Sequence, residues 1–585
     1  MSTKVIVIGA GWFGLAAAKT YLQVDPHIDL TILESGETIG GTWSKERVYP
    51  NLLAQQRYGR YEYSDRNIEI EGGNRNSFVP ALKIHAYMNE YAEEFGVKER
   101  IRFKTFVSRV VRNKDGKRWD VWINDDSELM TCDRLIVATG LTSKPILPNV
   151  PSEKPTPKIF HSRDLGSQYD YITSPAVKNV TVYGGGKSAI DTIYSCVTNG
   201  KHVNWVIRKG GGGVPPLLTG VANGKVLDDF ATSRFSSKLH PNLHTKGWWH
   251  WALHSGKNFL GQWLHWKYWE RATSSMQSNV EYKKSENMAK LTPSIVDHGP
   301  THFEHDTDTP NSAYWINVGP AVLTQPDIID WIHCGCQITV HRNTIEKIAG
   351  DQVHLDDGSS HRADAVIYAT GYDLIQSAFS LEDSVNLGLP TPVKQCPPEA
   401  AAKWDHLEEI ADREVVERFP RLGKPPPHKK LPVTHTPYRL WHDMVPLPLL
   451  SGEKPDRSLV FVGTVKCYST AIMSEAMALW AVAWMSGRIH PGKSFAEMQH
   501  EVAVSNAFAR RRYLNLGYKF TYQFYEFLPI VDNLLQELGV RSQRKPDAIT
   551  DFFEPYTPED YRGMVEEFKK VHGISNVEET KKEKW

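Results

Sequence analysis

Gly9, Gly11 and Gly14 in KVIVIGAGWFG have the spacing with which a backbone turn holds a pyrophosphate, G-x-G-x-x-G. Gly184, Gly186 and Ala189 in VTVYGGGKSAIDTIY repeat it as G-x-G-x-x-A. The first glycine makes the tight bend, the second admits the phosphates, and the third small residue lets a helix pack on its strand. That helix aims N–H groups and partial positive charge at the phosphates. Glu34 closes the apolar run LTIL, about 20 residues after Gly14, where a carboxylate accepts hydrogen bonds from ribose hydroxyls. An acid there favours FAD or NAD over a nucleotide with a 2′-phosphate. The strand after the second turn ends instead in Arg208-Lys209. A guanidinium can grip a 2′-phosphate bidentately, so this turn is expected to take NADPH, with Lys187 and Ser188 adding phosphate contacts. Gly186-Lys187-Ser188 imitates the end of a P-loop, but Thr181 stands where that motif needs its first glycine. Nucleoside triphosphate hydrolysis is thereby excluded.

Strands alternating with helices must position these turns. Lys4–Ile8, Leu30–Leu33 and Leu135–Val137 read as buried strands around a helix over Leu15 to Leu22. The pattern restarts with Val180–Tyr183, a helix to about Val197, and Val203–Ile207. Ala365–Tyr368 and Leu459–Val462 are later strands, the last leading to a helix from Thr470 to Met485. This is an α/β fold of two Rossmann-like dinucleotide-binding domains, the second inserted in the first. The expected FAD-binding domain spans 1–170 and 365–490, and the NADP-binding domain 171–364 with a substrate-side insertion at about 210–300. Residues 374–450, rich in Pro and charge, read as loops with short helices. Residues 491–585 read as a helical C-terminal segment ending in a frayed tail, VEETKKEKW. Between 243 and 270, Trp and Leu recur at helical spacing (Trp248, Trp251, Leu253, then Phe259, Trp263, Trp266). Two amphipathic helices facing the core are expected, with a lipophilic entrance or a membrane-interface helix as the alternative.

The 68 basic and 68 acidic side chains leave no net field for nucleic acid. Six cysteines form no disulfide framework, and Cys334-Gly335-Cys336 lacks the spacer of a zinc or redox pair, so reduced thiols are expected. The 23 histidines are scattered and no metal site is expected. A strand at the very start leaves no room for a signal peptide, and Ile472–Trp484 is too short to span a bilayer. A cytoplasmic protein is expected, with peripheral membrane contact and oligomeric state left open.

Further stretches carry a resemblance: Gly40-Gly41-Thr42-Trp43, then VYPNLLAQQRYGRYEYSD, FVGTVKCYSTAIMSEAMALWA and FFEPYTPEDYRG. Together with the two turns, they resemble the class B flavoprotein monooxygenases, the flavin-containing monooxygenases and their Baeyer–Villiger relatives, and above all fungal members of secondary metabolism. The resemblance implies that Gly41, Thr42 and Trp43 lie along the flavin, and that the helix after Gly463 points its N-terminus at the flavin's pyrimidine edge. It implies that Ala138-Thr139-Gly140 and Ala369-Thr370-Gly371 are the crossings between the domains. It places Gln55 where the family usually has an Asn near the flavin peroxide, and His161 near the linker and the nicotinamide. The implied reaction is reduction of FAD by NADPH, addition of O2 to give a C4a-peroxyflavin, and insertion of one oxygen atom into a small, lipophilic substrate.

N- or S-oxygenation or hydroxylation is the expected outcome. Baeyer–Villiger ketone oxygenation stands as an alternative, because F-x-G-x-x-x-H-x-x-x-W is broken at Pro155, Pro157 and Leu165 around His161. An NADPH oxidase or reductase without oxygen transfer is the other alternative. A disulfide reductase needs C-x-x-C or C-x-x-x-x-C, and neither occurs. A non-catalytic scaffold is disfavoured by two intact turns.

Overall fold

The computed structural model describes residues 2–574 except 71–73, 155, 211–213, 223–224, 279, 293–313, 326, 427, 429 and 520. The charged tail and Pro155 therefore lie outside the described residues. Along the chain, the elements that matter begin with β1 (Lys4–Ile8), α1 (Trp12–Val24), β2 (Asp29–Leu33), β3 (Ile101–Arg102) and β4 (Arg134–Val137). β5 (Lys158–His161), β6 (Asn179–Tyr183), α2 (Lys187–Thr198) and β7 (His202–Val206) follow. Next are α3 (Gly247–Leu253), α4 (Phe259–Ser278), β8 (Ile338–His341), β9 (Ala365–Tyr368) and α5 (Pro398–Arg418). The last are β10 (Leu459–Phe461), α6 (Thr470–Met485) and α7 (Phe495–Tyr513).

Two five-stranded sheets result, ordered β10-β4-β1-β2-β3 and β5-β9-β6-β7-β8, parallel throughout. Strands such as VIVI and VTVY are apolar on both faces because both faces are covered. On the first sheet α1 and α6 share one core; Ala471 to Met485 are all buried there. The other face is closed by an antiparallel meander, Val107–Arg112, Trp119–Ile123 and Glu128–Cys132.

β5 and β9 correct the expected domain limits. Both belong to the second sheet, with Lys158 opposite Ala365 and Val180 also opposite Ala365. The chain therefore leaves the first domain before 158, not at 170, and returns after 368, not at 365. A short apolar strand carries no mark of which sheet it will join. The two crossings run side by side, Lys144–Pro145 pairing antiparallel with Tyr372–Asp373.

α5 corrects the expectation of loops with short helices in 374–450. Its residues, PEAAAKWDHLEEIADREVVER, are good helix formers with Pro at the first position. Only Ala411 and Val415 are buried, so no apolar stripe announced it. It is held to α7 by Arg510–Glu408 at 2.8 Å and by Arg511–Asp412.

α3 and α4 form as expected but do not face the core as expected. Trp248, Trp251, Phe259 and Trp263 are 63, 46, 84 and 49 % exposed. Ala252, His254, His265 and Trp269 take the inward side instead. The cysteine reading also needs correction, because Cys334 and Cys336 are joined in a disulfide. Gly335 between them is left-handed (φ 67°) and brings their Cα atoms to 5.3 Å. Cys132, Cys196, Cys396 and Cys467 are free thiols. Among the described residues, no helix is long and apolar enough to cross a membrane.

Candidate active site and cofactor cradles

At the first turn, Gly9 has φ 104°, and a Cβ there would stand 2.6 Å from the Ala138 carbonyl oxygen. A Cβ on Gly14 would meet the Gly9 oxygen at 1.9 Å, so α1 can approach β1 only with glycine there. Gly11 caps α1 without any side-chain hydrogen bond, leaving the first-turn amides to a ligand. Gly41 (φ 58°) faces Gly11, its Cβ position 3.3 Å from the Gly11 Cα, so the GGTW turn roofs the glycine loop. Glu34 closes the end of β2, buried, and accepts from the Ala10 amide at 2.8 Å and the Gly36 amide at 2.7 Å. These bonds fix the carboxylate at the loop. Thr42 meets Thr142 at 2.8 Å, and Trp43 donates to the Tyr61 hydroxyl at 2.8 Å. The YEYSD stretch is thus packing as well as motif: Tyr61 and Tyr63 close on Trp12 at 4.9 and 4.6 Å.

Gly463 (φ 78°) lies against Phe13, whose ring atom would be 2.7 Å from a Cβ. This contact brings the start of α6 to the same edge as the first turn. Ser469, the residue capping α6, makes no capping bond, and its buried hydroxyl has no partner. An orphaned buried donor beside free helix amides, together with the open glycine loop, fits a flavin dinucleotide with its polar pyrimidine edge at α6.

Gln55 sits exposed on the strand Leu53–Arg57 and accepts from the Val322 amide at 3.0 Å. Opposite, Val465–Lys466 pairs with Thr521–Tyr522, and the buried Tyr522 hydroxyl, without a partner, abuts Gly319. Gly319 and Val322, three positions apart, thus bring Gln55 and Tyr522 to the same short segment. Sequence reasoning missed a buried lock beside this segment. Arg57 reaches buried Asp228 at 2.9 Å and the Gly220 oxygen at 3.1 Å, and Tyr468 donates to the other oxygen of Asp228. These partners lie 171 and 240 positions apart, beyond any local spacing signal.

The second turn repeats the first. Gly184 (φ 145°) would place a Cβ 2.2 Å from the Ala369 oxygen, whereas one on Gly186 would meet nothing within 4 Å. Gly186 caps α2 without a side-chain bond, Ser188 is exposed at its first turn, and Ala189 is buried against the strand. Lys187 differs from expectation. Its ammonium turns inward to buried Asp191 and to Thr324 at 3.1 Å. A buried carboxylate needs this counter-charge; burial raises the Asp191 pKa and Lys187 opposes the rise. Arg208 is exposed after β7. Desolvation and the nearby Arg208 guanidinium hold the Lys519 ammonium below its ordinary pKa. Lys209 stands 3.9 Å from Asp356 and lines a recess of about 270 Å³ with Lys290, Val340, His341, Arg342, Asn343 and Asp357. Open amides at α2 and adjacent cations beyond β7 fit a phosphorylated dinucleotide.

At the crossings, Gly140 and Gly371 have φ 66° and 87° with open space at their Cβ positions. Thr139 donates to Gln376 at 3.0 Å, and Thr370 donates to the Ile146 oxygen at 2.5 Å. His161 is buried, edge-on to Tyr372 at 5.1 Å, and accepts from the Arg163 amide at 3.1 Å. Burial lowers its pKa to about 4, so the ring is neutral near pH 7.

Two glycine turns, each opening a helix on its own parallel sheet, define a protein with paired dinucleotide-binding domains. Comparison with known proteins agrees. A model of pyridine nucleotide-disulphide oxidoreductases matches residues 6–213. The FAD-dependent monooxygenase rstn6 of Aspergillus nomiae is 34% identical, covering 98% of this chain and 99% of its own. The FAD-dependent monooxygenase resA of Aspergillus sclerotiorum is 34% identical, over 96% and 97%. The closed crystal structure of cyclohexanone monooxygenase shares the fold with a TM-score of 0.56, at 15% identity over 93% of this chain and 99% of that one. The chain belongs to the family of FAD-dependent monooxygenases.

Proposed function

We propose that this enzyme is reduced by NADPH and transfers one atom of O2 to a small, lipophilic substrate, by N- or S-oxygenation or hydroxylation in secondary metabolism. The observation that carries the reading is the contrast at the strand ends. Glu34 follows the first turn, and Arg208 with Lys209 follows the second. A carboxylate suits a ribose and a guanidinium suits a 2′-phosphate.

FAD, when bound, takes a hydride from the nicotinamide and passes the electrons to O2. Gly9, Gly11, Gly14, Glu34, Gly41, Thr42, Trp43, Thr139, Gly140 and Gly463 would hold it. Gly184, Gly186, Ser188, Ala189, Arg208, Lys209, Thr370 and Gly371 would hold NADPH. Lys187 acts through Asp191, fixing α2. Gln55 keeps an amide, one methylene longer than the family's Asn, and would orient a proton-bearing group beside the bound flavin.

The test is NADPH-driven turnover under labelled O2 with panels of amines, sulfides, ketones and activated aromatics. Gain of one labelled oxygen atom by a product supports the reading; NADPH consumption that yields only H2O2 with every panel contradicts it. An ester from a ketone would select Baeyer–Villiger chemistry instead.

A further inference from the structure

α3 and α4 carry a broad apolar surface open to solvent. Trp248, Trp251, Phe259, Leu260, Trp263 and Leu264 are 46 to 84 % exposed. Soluble monomers seldom leave apolar patches of this kind uncovered. The face continues onto a second element, because Trp249 stacks on Phe552 at 5.5 Å. Beyond that stack, Ile549 and Phe553 of the helix Ala548–Phe553 are 73 and 60 % exposed. Segments about 300 positions apart thus build one apolar face.

These helices are not core helices turned the wrong way. Their inner sides are already fixed. His254 donates to the Lys238 oxygen at 2.9 Å and His265 lies 2.7 Å from the Leu239 oxygen. Arg421 stacks over Trp266 at 4.3 Å, and Trp269 packs on Tyr314 at 5.5 Å. Rotating α4 to bury Phe259 would break the contacts of His265, Trp266 and Trp269.

The charge along α3 and α4 is one-sided as far as Glu270, although the chain is neutral overall, with 68 basic and 68 acidic residues. No acidic residue occurs between Asp229 and Glu270. Within that span Lys246 and Lys257 are exposed, and Lys267, paired with Glu270, keeps half of its side chain in solvent. Asp547 and Glu554 stand only at the far end, beside Ile549 and Phe553. Tryptophan with a cationic rim is the composition that settles at the boundary between headgroups and acyl chains. A twofold contact between two copies of this face would instead set the lysine rims against each other.

We propose that this face docks on a lipid bilayer surface bearing anionic headgroups. Trp248, Trp251, Phe259 and Trp263 enter the headgroup boundary, and Lys246, Lys257 and Lys267 meet the lipid phosphates. Docking is independent of which reaction the enzyme performs.

The test is co-sedimentation of the full-length, FAD-loaded protein with phosphatidylcholine vesicles, with and without about one-third phosphatidylserine. Binding is expected to the mixed vesicles, with a blue shift of tryptophan emission. A Trp248→Ser, Trp251→Ser, Phe259→Ser, Trp263→Ser variant should lose about tenfold or more of that binding, with FAD content and melting temperature kept. Lys246→Glu with Lys257→Glu, which spares the apolar residues, should weaken binding only to the anionic vesicles, again about tenfold. Absence of co-sedimentation overturns the proposal, as does equal binding by wild type and both variants. A solution dimer that the serine variant converts to a monomer overturns it too, and assigns the face to a second copy.

Discussion

Glu34 directly follows the strand after the first glycine turn, Arg208 stands one place further along after the matching strand of the second fold, and the two carry opposite charge. In the proposed reading that difference sets cofactor choice. Removing a charge-assisted contact to phosphate is worth roughly 1.5–3 kcal/mol, about 10- to 150-fold. Arg208→Ala should therefore raise the KM for NADPH by that factor while leaving NADH nearly untouched; equal losses with both would remove the 2′-phosphate role. A second residue-scale prediction concerns Glu475, buried on α6 and accepting from the Ser64 amide at 2.9 Å and its hydroxyl at 2.8 Å. Burial, aided by the charge of Asp65 and opposed by Lys19, pushes its pKa up to about 7. An unfolded glutamate titrates near 4.3. Between those values the folded protein keeps a proton that the unfolded chain has released. Stability therefore falls as pH rises through this window and stays lower above it. Glu475→Gln removes this contribution, so its melting temperature should gain on wild type between about pH 5 and pH 8. The gain corresponds to a few kcal/mol at most. Glu526 (about 7) and Asp443 (about 6) are raised in the same direction by burial, so part of the slope should remain.

At the scale of elements, each glycine turn works only if its helix starts where a Cβ has no room. Gly184→Ala would drive a methyl to 2.2 Å from the Ala369 oxygen at φ 145° and displace α2. The purified variant should remain yellow yet be reduced by NADPH about 100-fold more slowly. Gly14→Ala, at 1.9 Å from the Gly9 oxygen, should instead lose FAD; the flavin content of both variants, read by absorbance, checks the division. These local features were legible because their signal is local. The turns, the helix from Thr470 to Met485 and strand β9 stand where the spacing and apolar runs put them. What the sequence hid is long-range. β5 and β9 join the second sheet through pairings between positions about 200 apart, which no apolar run encodes. α5 is polar on nearly every side, so its period is silent. Lys187 reads as a phosphate ligand until Asp191, one turn along α2, claims its charge.

Across the whole molecule, the insertion that follows β7 is tied back to the first nucleotide domain by one buried ion pair. Arg57 and Asp228 are both buried where the insertion crosses the first domain. Breaking one partner of such a pair costs about 3–5 kcal/mol. Asp228→Ala should lower the melting temperature by several degrees and hasten loss of flavin on dilution; an unchanged melting curve would show that the lock carries no load. The family assignment supplies the flavin and the monooxygenase class, and the division of labour between the two turns is the claim that reaches furthest. Anaerobic mixing of the yellow protein with reduced nicotinamides tests it most directly. NADPH should bleach the flavin band at least about tenfold faster than NADH at equal concentration. Equal rates, or no bleaching by either, would contradict the account.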